Sequence, residues 1–262
     1  MTHSERSVRS PIPLRGSGGA LTRDLFVRRS VLLPAIVVAS GTAAFVLLAD
    51  AASENDGPTT LDPHISHTVV QDRSTVGTAV ARLFTFLGSE PVVSVVTLLI
   101  IILLLERRRL SGAVALAVAM AGSATLTVGI KLAVGRPRPD AALRLGPVDH
   151  SYAFPSGHTL NSAVLLAMIA VLVVPLWARR PVRLAAWSVL AVLAVGVGLS
   201  RIYLGYHWST DVAGSWLLAT DWVTLVIAGL HVFDRRHHPL PASRSSQQKS
   251  GSSVVGERST PR

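Results

Sequence analysis

Six stretches of this chain are apolar enough, for long enough, to lie across a lipid bilayer, and few folds can accommodate that. In hydrocarbon every backbone N–H and C=O must be paired inside the protein, so only helices and closed barrels span it. The runs are continuous rather than alternating, which selects helices. They cover Val31–Ala49, Pro91–Leu105, Ser111–Val134, Thr159–Ala178, Leu184–Leu199 and Val212–Leu230. The expected fold is therefore all-α: an integral membrane six-helix bundle over residues 31–230. A polar, basic tail is expected at 1–30 and a basic, Ser/Gln-rich, disordered tail at 231–262. With 49% hydrophobic and 15% charged residues the chain is too charge-poor for an ordinary soluble domain of its length. A secretory signal is the rival reading of the first run, helped by Ala49-Asp50-Ala51. The long leading tail and long apolar core favour an uncleaved span.

The connection at 50–90 is acidic. Its second half places Val69, Val70, Val76, Val80, Leu83, Phe84 and Leu87 at near-helical spacing, which predicts an amphipathic helix at the interface over 65–87. Ser89 is a cap for the short second span, with Pro91 in its first turn. Arg107–Arg109 are expected to snorkel at its far end. The net charge of +10 does not indicate nucleic acid, because the arginines are spread over tails and short loops instead of gathering on one polar domain. Their distribution is topological. The N-terminal arginines, Arg107–Arg109, Arg179–Arg183 and Arg235-Arg236 share one face, which the positive-inside rule assigns to the cytoplasm together with both termini. The absence of Cys excludes disulfides, zinc thiolates and cysteine nucleophiles.

Three polar clusters interrupt this pattern, all on the opposite, exoplasmic face. The first is Lys131-Leu-Ala-Val-Gly-Arg-Pro-Arg138-Pro139. The second is Pro155-Ser156-Gly157-His158. The third is Ser200-Arg201, then His207 and Asp211. Charges at span ends are costly unless paired or working, so a functional site is the default reading. A phosphate monoester needs its charge cancelled, phosphorus attacked in line and the leaving oxygen protonated. Arg138 and Arg201 offer paired N–H donors, and Lys131 a compact charge. Ser156 and Gly157, ahead of the fourth span, offer backbone N–H groups at a helix N-terminus. His207 is the candidate nucleophile: Asp211, four residues on, would hold one ring nitrogen and free the other. His158 remains for proton transfer.

The order and spacing of these clusters resemble the type 2 phosphatidic acid phosphatase family, PAP2, over roughly 131–211. The resemblance implies a bundle like the PAP2/haloperoxidase core and catalytic roles for His207, His158 and Asp211. It assigns phosphate binding to Lys131, Arg138, Ser156, Gly157 and Arg201. It implies a phosphohistidine intermediate, with no metal and no cofactor. The expected substrate is a lipid phosphate or diphosphate: phosphatidic acid, phosphatidylglycerol phosphate or a polyprenyl diphosphate. Membrane lipids, not nucleic acid, are the surroundings. A phosphotransferase using the same intermediate, or a non-catalytic lipid-phosphate-binding or transport protein, are the alternatives. Tyr203, Tyr206 and Trp208 read as interfacial aromatics. Asp221, deep in the last span, belongs to no cluster; a Ser or Thr on a neighbouring helix is one partner for it, protonation another account.

Overall fold

The structure, a computed structural model, describes residues 18–177 and 179–237; the expected tails at 1–17 and beyond 237 lie outside them. Every regular element among the described residues is helical. The helices are α1 (Gly18–Glu54), α2 (Asp62–Gln71), α3 (Thr75–Leu87), α4 (Glu90–Glu106), α5 (Leu110–Val134), α6 (Gly157–Leu172), α7 (Arg180–Tyr203) and α8 (Ser209–His237). Five single helices are long and apolar enough to cross a membrane, and α3 with α4, bent by 47°, pass the same test only as a pair. The first apolar run sits inside the longer α1 and the last inside the longer α8, so residues 18–30 and 231–237, read as tails, are helical.

The expected helix over 65–87 is broken in two. Ser74 Oγ accepts the Gly77 N–H at 3.0 Å and starts a new helix. The side chain of Arg73 turns away to donate to the carbonyls of Tyr203 (Nε, 2.9 Å) and Leu143 (Nη2, 2.7 Å). The second piece, α3, keeps Val76, Val80, Leu83 and Phe86 on an exposed face. It packs against α7, with Phe84 seated on Gly196 so closely that a Cβ there would fall 2.3 Å from the ring. Taken with α4, α3 adds the length that the short run 91–105 lacks for a crossing.

Leu104 of α4, Leu116 and Ala119 of α5, Leu160, Val164 and Met168 of α6, and Ala219 and Val223 of α8 form the core. Small residues along α5 let α6 approach, which matters in lipid, where packing replaces the hydrophobic effect as the force between helices. Large side chains such as Leu98, Leu99 and Val192 are exposed, as residues facing acyl chains should be. Asp221 is 4% exposed and sits over Gly41 of α1, where Thr42 Oγ1 donates to its Oδ2 at 3.0 Å. The hydroxyl partner expected on a neighbouring helix is Thr42. The C-terminal ends of α5 and α7, the N-terminal ends of α6 and α8, and the α1–α2 connection all meet at one end of the bundle, and the motif residues lie there.

Candidate active site

Helix α5 ends because Gly135 adopts the left-handed conformation, φ 64°, and its N–H closes on Lys131 O at 3.0 Å. The chain then runs extended through Arg136-Pro137-Arg138. The loop after it is stapled to the turn between α7 and α8: Leu145 N–H donates to Leu204 O at 2.9 Å, and Arg138 Nη1 to Tyr206 O at 2.8 Å. Gly205 makes that turn with φ 74°; a Cβ there would meet Leu143 O at 2.3 Å.

His207 is 2% exposed and precedes the first turn of α8. Its Nδ1 lies 3.3 Å from Asp211 Oδ2, which also accepts the Trp208 N–H at 2.9 Å. The expected pairing therefore forms although α8 starts after His207, because Asp211 bridges ring and backbone. On the other side, His207 Nε2 faces Arg138 Nη1 at 3.1 Å. Burial first, then the charges of Arg138, Arg201, Lys131 and His158, hold the His207 imidazole well below the usual histidine range. It is a neutral ring with a carboxylate behind it and cations in front.

The cations occupy a polar rim. Arg138 Nε donates to Ser151 O at 2.7 Å, and its Nη2 pairs with Asp149 Oδ2 at 2.6 Å. Burial pulls the Arg138 guanidinium below its usual range against the opposing charge of Asp149. Burial pushes the Asp149 carboxyl up, but the Ser151 N–H and the Arg138 charge outweigh it and hold it below the usual range. Lys131 Nζ donates to Tyr152 O and reaches Ser151 Oγ at 3.4 Å. Arg201, in the last turn of α7, stacks 4.1 Å from the Tyr206 ring centroid and donates to Thr85 Oγ1 at 2.6 Å. Its buried Nε has no hydrogen-bond partner among the described residues. His158, half-buried in the first turn of α6, feels Arg201, Asp149, Arg138 and Lys131 electrostatically.

Ser156 departs from expectation. It is fully buried, its N–H donates to Ser215 Oγ at 2.9 Å, and its own hydroxyl accepts from Thr159. A buried amide takes the nearest acceptor, so Ser156 anchors α6 to α8 instead of offering its N–H to a phosphate. Gly157 follows it as the first residue of α6, close-packed on Thr127.

Sequence reasoning passed over Arg136 and Asp62. Arg136 is 3% exposed; its Nη1 lies 2.6 Å from Asp211 Oδ1 and its Nη2 lies 2.8 Å from Asp62 Oδ2. Two Arg-Pro pairs stand side by side in the first cluster, and only the duplication hinted that both are used. The aromatics are cation platforms as well: Trp208 lies 5.6 Å from the Arg136 guanidinium, and Tyr206 supports Arg201 and Arg144.

Residues 112–235 match the PAP2 superfamily. The chain is 29% identical over 179 residues to phosphatidylglycerophosphatase B of Bacillus subtilis, covering 66% of this chain and 85% of that one. It is 35% identical over 91 residues to an undecaprenyl-diphosphatase of Sulfolobus acidocaldarius, covering 34% of this chain and 37% of that one. Among solved structures, the transmembrane PAP2-type phosphatidylglycerolphosphate phosphatase of Bacillus subtilis superposes with a TM-score of 0.64 at 26% identity. That match covers 76% of this chain and 96% of that one.

Proposed function

We propose, for a chain that belongs to the PAP2 superfamily through residues 112–235 and is a multi-pass membrane hydrolase of that type, that it cleaves a lipid phosphate or diphosphate through a phosphohistidine. The observation that carries this reading is the polarity around His207: carboxylate at 3.3 Å from Nδ1, arginine at 3.1 Å from Nε2. A proton fixed on Nδ1 by Asp211 leaves the Nε2 lone pair facing the cations that would hold a phosphoryl group.

In the first step Nε2 forms the N–P bond, the P–O ester bond breaks, and His158 gives its proton to the departing oxygen. In the second, His158 takes a proton from water, the resulting hydroxide attacks phosphorus, and the N–P bond breaks to release phosphate. Arg138, Arg201 and Lys131 balance charge on the equatorial oxygens. The unpartnered Nε of Arg201 is a donor that a phosphate oxygen would satisfy. The named relatives act on phosphatidylglycerophosphate and undecaprenyl diphosphate, so a glycerolipid phosphate and a polyprenyl diphosphate are the two head groups to compare. The arginine-rich ends of the spans support a site on the exoplasmic face and both termini in the cytoplasm.

The test uses purified protein and a substrate carrying labelled phosphate. An alkaline denaturing quench should trap an acid-labile, base-stable phosphoenzyme in wild type and none in His207→Ala, vanadate should inhibit, and a chelator should leave turnover intact. A phosphoenzyme that survives His207→Ala removes the nucleophile assignment. Activity that a chelator abolishes and Mg²⁺ restores removes the metal-free mechanism.

A further inference from the structure

We infer that Asp62 and Arg136 are positioning residues for the reaction: they form, with Asp211, a buried three-member ladder that fixes the carboxylate behind the His207 nucleophile. The inference rests on the phosphohistidine reading and extends it to a segment outside residues 112–235. The geometry is continuous. Arg136 Nη1 holds Asp211 Oδ1 at 2.6 Å, so Oδ2 is the oxygen left to face the imidazole and the Trp208 N–H. Arg136 Nη2 holds Asp62 Oδ2 at 2.8 Å. Asp62 Oδ1 in turn accepts the Ser209 hydroxyl at 2.5 Å and the Thr210 N–H at 3.1 Å, and the Thr210 hydroxyl donates to Oδ2. Asp62 is thus a cap for α8 supplied from a distant part of the chain.

All three charges lie at 5% exposure or less: Asp62 1%, Arg136 3%, Asp211 0%. A lone buried arginine beside Asp211 would compete with His207 for the carboxylate. With Asp62 on its other end, Arg136 is charge-balanced, and its fork holds one oxygen of Asp211 while leaving the second to the ring. The groups that face His207 itself are Asp211 from α8, Arg138 from the loop after α5, Lys131 of α5, Arg201 of α7 and His158 of α6. Neither Asp62 nor Arg136 touches the side where phosphate would sit. Their effect is therefore on the rate of attack, not on phosphate capture.

The experiment is a double-mutant cycle between Arg136 and Asp211, read as the single-turnover rate of phosphoenzyme formation, alongside the inhibition constant for inorganic phosphate, a ground-state ligand. Arg136→Gln and Asp62→Asn should each slow phosphoenzyme formation by about 10- to 100-fold and leave phosphate inhibition within about twofold. In an Asp211→Asn background, Arg136→Gln should cost less than about threefold more, because the ladder acts through Asp211. Arg136→Lys, which keeps the charge but not the fork, should recover only part of the rate. Circular dichroism and thermal unfolding in detergent identify any variant that fails to fold, and for such a variant the milder Asp62→Asn carries the same cycle. Additive losses in the Asp211→Asn background, or inorganic phosphate binding weakened in parallel with the rate, overturn the ladder as a positioning device. His207→Ala that still forms a phosphoenzyme would overturn the underlying mechanism instead.

Discussion

Asp149 stands where a phosphate would compete with it, and replacing it by asparagine should tighten phosphate-like ligands. Arg138 spends its Nη2 on Asp149 Oδ2 at 2.6 Å; the arginine side chain is 7% exposed and the aspartate 37%. A phosphoryl group brought against His207 Nε2 must draw on the same guanidinium, since Arg138 Nη1 already lies 3.1 Å from that nitrogen. Binding therefore requires Arg138 to loosen its grip on the carboxylate. Because Asp149 is partly exposed, solvent screens the pair, and a screened, charge-assisted contact is worth about 1 kcal/mol, or about fivefold in an equilibrium constant. Asparagine keeps the local turn, because its side-chain oxygen still accepts the Ser151 N–H now bound to Asp149 Oδ1 at 3.0 Å. Only the charge leaves. The expected result for Asp149→Asn is a vanadate inhibition constant lowered about fivefold, with KM for a lipid phosphate lowered in step. Since the Asp149 carboxyl is held below the ordinary range, it stays ionised throughout pH 5–8 and the ratio of the two constants should be flat there. Vanadate binding that weakens in Asp149→Asn would mean the carboxylate orients Arg138 for substrate, and the competition argument would fall.

Removing the proton donor should show in the leaving group: His158→Ala is expected to slow an alkyl ester by about 10²–10⁴-fold and an activated aryl phosphate much less in its first step, measured as paired single-turnover rates. The depressed His207 makes a stability prediction with a definite sign. Its contribution is complete above the unfolded value near 6.5 and is lost as pH falls from there toward its folded value, so the thermal stability of wild type relative to His207→Gln should decline between pH 7 and 5, by at most about 1.4 kcal/mol per pH unit. A difference that does not change with pH would refute the neutral, buried imidazole. For topology, cysteines introduced singly at Ala142 and Ser245 should react oppositely with a membrane-impermeant thiol reagent on intact cells, Ala142→Cys alone being labelled; the reverse pattern would invert the orientation.

The spans were legible because a bilayer tolerates only continuous apolar helices, and α5, α7 and α8 contain their expected runs with a few extra residues at the ends. Lys131, Arg138, His207 and Asp211 were legible because a charge at the edge of such a helix has few innocent explanations. Three features were not. The segment 65–87 reads as one helix because its apolar residues keep helical spacing; the break at Ser74 and the seating of Phe84 on Gly196 of α7 appear only in three dimensions. Asp62 looks like one acid among several in a charged connection, and nothing local marks it as the partner of a residue on the far side of α5. In Arg136-Pro-Arg138 the two arginines are equivalent on paper. They diverge in space: Arg138 reaches His207 Nε2, and Arg136 lies behind Asp211.

That divergence explains how one imidazole can be kept neutral, oriented and nucleophilic in a site crowded with cations. Cations alone would depress the basicity of His207 but leave its proton free to occupy either nitrogen. A single carboxylate would orient the ring but would itself be drawn toward Arg138, Arg201 and Lys131, across the ring. Arg136 resolves the conflict by holding Asp211 from behind at 2.6 Å, and Asp62 keeps Arg136 from becoming one more unbalanced positive charge. Asp62 and Asp211 thus sit together at the start of α8, where the helix dipole favours them, and Arg138, Arg201 and Lys131 lie across the ring. In the proposed mechanism Asp211 accepts the Nδ1 proton, the Nε2 lone pair points toward these cations, and an anionic phosphoryl group is the kind of ligand that completes that half.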